Sequence, residues 1–161
     1  MAWTGTEGSH IFRPFLADVM GNVAAFDLDA DSFKVALYGN TGTPTPNVTS
    51  ALSAYAAGSS QWVTGNEVTS GAAWPTGGVV LTSLNLNSGT AGVVFWDAAD
   101  TASGASATLA NVYGVLVYDD TLTTPVADQG VCFNYLGGAN SVTSGTFTVV
   151  WNANGIWRAT L

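Results

Sequence analysis

The chain has 161 residues, enough for one domain whose core needs neither a disulfide nor a metal to hold it. Charged residues make up only 9% of it, and three bases (Arg13, Lys34 and Arg158) against eleven acids leave a formal net charge of −8. Such a chain cannot build the Lys/Arg track that neutralises phosphates, which argues against nucleic-acid binding, and no segment is apolar for long enough to cross a membrane as a helix.

In chain order, the first element is a short helix in "IFRPFLADVM", where Phe12, Phe15, Leu16 and Val19 recur at three- and four-residue spacing. Pro14 suits its first turn and "GN" at 21–22 stops it; it is expected to cover an open end or face of a sheet. The N-terminus lacks the basic region and apolar run of a secretory leader. After the helix come strands. "SFKVALY" alternates Phe33, Val35 and Leu37 with Lys34, Ala36 and Tyr38. A long Pro/Gly/Ser-rich connection over 41–60 follows, with a helical turn expected within 49–57. In "GGVVLTSLNLN", Val79 and Leu81 share one parity and Leu84 and Leu86 the other, so a bulge or a break is expected near Thr82–Ser83.

"GVVFW" and "VYGVLVY" are apolar on both parities, as central or doubly covered strands are. "VCFNYL" alternates, "GTFTVVW" turns Phe147, Val149 and Trp151 inward, and "GIWRATL" sets Trp157, Ala159 and Leu161 opposite Arg158. "GN", "GG", "NSGT", "TASG", "GGAN" and "NANG" read as turns between them. The pattern predicts an all-β fold, an antiparallel β-sandwich or barrel-like domain with one short N-terminal helix. An arm and helix would span 1–24 and the antiparallel β domain 25–161.

Three aspartates alternate in "FDLDADSFKVALY", at positions 27, 29 and 31. An EF-hand loop starting at Asp27 would need glycine at Ser32 and a bidentate carboxylate at Tyr38, and a helix after it; all three are missing. The aspartates therefore read as a corner whose carboxylates accept backbone N–H bonds. Asp119–Asp120, Asp97 and Asp100 read as turns after buried strands.

His10 is the single histidine and Cys132 the single cysteine, too few for the usual zinc ligand sets. No "GxSxG" elbow and no phosphate-loop lysine is present. Two distant carboxylates meeting in a cleft could still hydrolyse a glycoside, but nothing selects a pair. No cofactor and no metal is expected. Trp62, Trp74, Trp96, Trp151 and Trp157 are either core residues or a sugar-stacking platform. Spacing places Trp151 and Trp157 in the core, whereas Trp62 and Trp74 sit in connecting segments, where they pin loops or touch a partner.

"DSFKVALY", "WVTGNEV", "WPTGGVVL", "VYGVLVYDD", "YLGGANSVTSGTFTVVW" and "NGIWRATL" together resemble small virion structural proteins of tailed bacteriophages, over nearly the whole chain from Ala25. The resemblance implies a non-enzymatic β-rich building block, made in the host cytoplasm. The expected role is a decoration protein on the outer surface of the capsid, clamping the major capsid protein, or else a minor tail or tail-tip/fibre component. Asn66, Glu67, Trp74, Gly77 and Gly78 fall in the resembling motifs and are taken as structural. It also implies a homo-oligomer, taken as a trimer. Expected partner contacts are Trp3, Phe12, Phe15, Trp62 and Trp74; contacts within the oligomer are expected from the N-terminal segment around Trp3 to Phe15 or from the 41–60 connection.

Overall fold

A computed structural model describes Trp3 and residues 8–161. The described chain forms ten strands: β1 (His10–Ile11), β2 (Phe33–Tyr38), β3 (Val79–Val80), β4 (Asn85–Asn87), β5 (Val93–Asp97), β6 (Thr101–Ala102), β7 (Ala107–Asp119), β8 (Gly130–Gly145), β9 (Thr148–Val149) and β10 (Trp157–Thr160). Two α-helices accompany them, α1 (Arg13–Met20) and α2 (Ser50–Ser53). All pairings are antiparallel, in a main sheet β1-β8-β7-β2-β3, a smaller sheet β10-β5-β4 and the pair β6-β9. The result is the expected β-sandwich-like domain with a short N-terminal helix.

The double apolarity of the central strands has a direct cause. Lys34, Ala36 and Tyr38 pair with Tyr118, Leu116 and Gly114, and so share one face of the main sheet; Phe33, Val35 and Leu37 share the other. Phe33 meets Trp96 of β5 edge-on at 4.8 Å, so the smaller sheet covers its face. On the opposite face Tyr38 meets Trp62 at 5.1 Å and Tyr118 stacks on Tyr55 at 4.8 Å. That face is roofed by the connection between β2 and β3. With both faces covered, β2 from Val35 to Tyr38 is fully buried.

The parity switch after Val79 is a break. β3 adds to the main sheet and β4 to the smaller one, with Ser83 at φ 57 between them. One stretch of chain thus serves both layers, and its apolar residues change parity because they change sheets.

"GGAN" departs from the reading as a turn: it lies inside the sixteen-residue β8. Gly137 and Gly138 have φ of 80 and 133, and the β7–β8 register shifts between Val112 and Gly114. These glycines make an irregularity, not an end. The Asn140 amide donates back to the carbonyls of Gly138 (2.9 Å), Leu136 (3.2 Å) and Val112 (3.3 Å), across that irregularity.

α1 starts with Pro14 in its first turn and ends at Gly21, whose N–H bonds the Ala17 carbonyl at 2.8 Å. It buries Pro14 and Phe15, the latter edge-on to Phe26 at 4.9 Å and against Trp157 of β10 at 6.5 Å. α2 is the helical turn expected in the long connection, capped by the Thr49 hydroxyl accepting from Leu52 N–H at 3.3 Å.

Candidate interaction surface

The five expected contact residues are all interior. Trp3, Phe12, Phe15, Trp62 and Trp74 expose 2% or less. This corrects the expectation: none offers a surface to a partner. Trp62 is an aromatic hub, with Trp3, Phe12, Tyr38 and Phe133 all within 6.0 Å of it, centroid to centroid. Its carbonyl accepts the Tyr38 hydroxyl at 2.6 Å. Trp3 sits over Gly114, where a Cβ would run into the indole. Trp74 is edge-on to Phe147 at 6.2 Å. Residues 41–60 also bind their own domain, through Arg13 N–H to the Pro46 carbonyl and Tyr55 N–H to the Asp128 carbonyl.

The aspartate series is a corner. Asp27 accepts from Asp29 N–H at 3.2 Å, Asp31 from Asp27 N–H at 2.7 Å, and Asp29 from Leu86 N–H at 2.7 Å, tying the corner to β4. No group of three or more His, Cys, Asp or Glu gathers as a metal site among the described residues. Millimolar calcium, or a chelator, should therefore leave the melting temperature unchanged; a stoichiometric calorimetric signal with a raised melting point would refute this.

At the end of β7 the two adjacent aspartates diverge. Asp120 pairs with Lys34 at 2.8 Å on the surface. Asp119 is fully buried and accepts at Oδ1 from Thr121 N–H (2.8 Å) and Leu122 N–H (3.0 Å). Its Oδ2 has no hydrogen-bond partner among the described residues, and the Asp31 carboxylate lies within hydrogen-bonding reach. Burial, and then the neighbouring Asp31, push the Asp119 carboxyl up to about 6 against the two backbone bonds.

Another acidic group closes the roof over the main sheet. Glu67 accepts from the Tyr55 hydroxyl at 2.8 Å and from Gly77 N–H at 2.9 Å, while Tyr118 donates to the Gly77 carbonyl at 2.7 Å. Burial raises the Glu67 carboxyl above the usual range, opposed by those two bonds. The network locks "WVTGNEV" to "WPTGGVVL", which explains the structural reading of Glu67 and Gly77.

An open groove of about 480 Å³ between β1 and β10 holds His10, Cys132, Asn134, Asn154, Trp157 and Arg158 among its lining. It brings the lone histidine and lone cysteine together without arming them. Burial raises the Cys132 thiol far above its ordinary value, and its hydrogen-bond partner is the Asn134 amide oxygen at 3.5 Å. The His10 ring packs against Phe133 at 5.7 Å.

Eight large apolar side chains are exposed among the described residues; Val80, Leu86, Val150 and Leu161 are four of them, and the other four belong to one stretch. Leu16 (41%), Val19 (41%), Met20 (85%) and, just past the helix, Val23 (60%) stand out on and beside α1. Ala17, Gly21, Asn22 and Ala25 are exposed alongside them, and Arg13 is the one charged residue exposed in this stretch. Leu16 and Val19 share a sequence period with the buried Phe12 and Phe15, which hid them. The available signal was an eight-residue helix that is apolar around most of its circumference. Compared with protein-family models, curated proteins and solved structures, the chain matches none.

Proposed function

We propose that this chain is a non-enzymatic structural protein of a tailed bacteriophage particle, a decoration protein that binds the assembled major capsid shell from outside and stabilises it. The motif resemblance supplies the particle. The observation that carries binding is the surface of Leu16, Val19, Met20 and Val23, an apolar patch on a single domain whose core is already complete without it. A coat of Thr, Ser, Asn and Gly loses little rotamer entropy against neighbours, and a charge of −8 disfavours packaged DNA. Repeated over a lattice, as a trimer, individually weak contacts add up to tight retention.

Stripping the protein from particles and adding it back should restore stoichiometric binding and raise the temperature at which the shell fails. Failure to rebind, or labelled protein confined to the tail, decides against this reading. A minor tail or tail-tip/fibre role is favoured by one feature, the open groove with Trp157, Asn154 and Arg158, whose chemistry suits a host-surface glycan. Trp62 and Trp74, being buried, would not take part in that contact.

A further inference from the structure

Val23 and Ala25 carry the exposed face of α1 around into a pocket of about 290 Å³, whose other walls are Leu122, three threonines and Asp31. Asp31 is the only charged residue in the lining. Behind it lies Asp119, fully buried, within hydrogen-bonding reach of Asp31 and with Oδ2 unpartnered among the described residues. Asp31 thus gives the pocket a negative wall, and the charge of Asp119 behind it, when ionised, deepens that field. None of this chain's own three bases reaches the pocket: Lys34 pairs with Asp120, Arg13 donates to the Val48 carbonyl and Arg158 to Asn154.

We propose that the α1 face and this pocket form one docking surface for a partner protein that inserts a basic side chain, arginine by preference. The cation meets Asp31 at the pocket wall, in the field of the Asp119 carboxylate buried behind it, while apolar partner surface covers Leu16, Val19, Met20 and Val23. A guanidinium suits the pocket because its planar fork can serve carboxylates and threonine hydroxyls together. An acidic membrane would be repelled by a chain of net charge −8, and so would a second copy, which carries the same charge with three bases against eleven acids. The partner's identity as the shell subunit rests on the function proposed above; the chemistry of the pocket does not.

Two measurements on the full chain separate these. In the first, Met20→Asp and Asp31→Asn are compared with the parent for rebinding to stripped particles, with Val150→Asp as an exposed control away from the patch. Both test variants should fold, since Met20 is 85% exposed and asparagine keeps an oxygen for Asp27 N–H. Each should bind at least about tenfold more weakly, with the control unchanged. Parental affinity in both overturns the docking surface while leaving shell binding intact. If the parent itself does not bind shells, the proposed function falls and the second measurement decides. N-acetyl-arginine methylamide is titrated into labelled protein and followed by NMR. Saturable shifts at Val23, Ala25, Asp31 and Thr121, lost in Asp31→Asn and absent with the neutral citrulline analogue, are expected. No saturable shift, or equal shifts with the neutral analogue, overturns the inference whatever the particles do.

Discussion

Gly78→Ala should cost about 3 kcal/mol or more, a large part of the roughly 5–15 kcal/mol that holds an average domain together. Two effects add. Gly78 has φ +81, where an L side chain is strained, and a Cβ built there would collide with the Val35 carbonyl and the Ala36 nitrogen of β2. These are backbone atoms of the most buried strand, so no side chain can rotate away to make room. The glycine lets the chain pass tightly over β2 as it enters β3, and its N–H bonds the Pro75 carbonyl at 2.9 Å. Gly71→Ala is the matched control: its φ is +52 and nothing lies within 4 Å of the added carbon. It should lose only the strain of a left-handed alanine, about 1 kcal/mol. Denaturant melts of both variants check this. Equal losses would mean that the close approach to β2 is not what requires glycine at 78.

The contrast also shows which parts of this fold were legible in the sequence. β2, β7 and the start of β8 were readable because burial on both faces leaves a run of apolar residues that few other structures tolerate. α1 was readable from its spacing, but not the side of it left bare, because Phe15 and Leu16 are equally apolar and only the packed neighbours distinguish them. Trp62 and Trp74, set among Ser, Thr and Gly, left open whether they pin loops to the body or touch a partner, and their burial decides for pinning. In the fold those small residues let the chain bend while each indole drops into the core, so local polarity said little about the tryptophan itself. "GGAN" suggested a turn because positive-φ glycine serves turns and bulges alike; the partner strand that decides between them lies about thirty residues away, as Asn140 beside Val112 shows. The corner at Asp27 to Asp31 was predictable from local bonding. The approach of Asp119 to Asp31 was not, since 88 residues of chain separate them.

Burial of Asp119, with Asp31 beside it, should make the protein more stable in mild acid than at neutrality. Burial raises the folded-state value of Asp119 from 3.8 to about 6, with Asp31 facing it and the Lys34–Asp120 ion pair close by at the end of β7. The native state therefore holds this proton more tightly than the unfolded chain does. Its contribution to stability is fully present below about pH 4, falls as the pH rises towards about 6, and is gone above that. At about 1.4 kcal/mol per pH unit, the full span is worth up to about 3 kcal/mol. Burial also raises the carboxyls of Glu67 and Asp128, adding slope of the same sign, so the parent's pH profile alone does not isolate Asp119. Asp119→Asn does. The amide oxygen still accepts from Thr121 and Leu122 N–H, and the amide nitrogen offers Asp31 the donor that a deprotonated Asp119 cannot. The variant should gain about 1–2 kcal/mol over the parent at pH 7 and nothing at pH 4, which urea melts at the two pH values would measure. A variant destabilised equally at both would show that Asp119 acts through its two backbone bonds and that its charge carries no penalty in the fold.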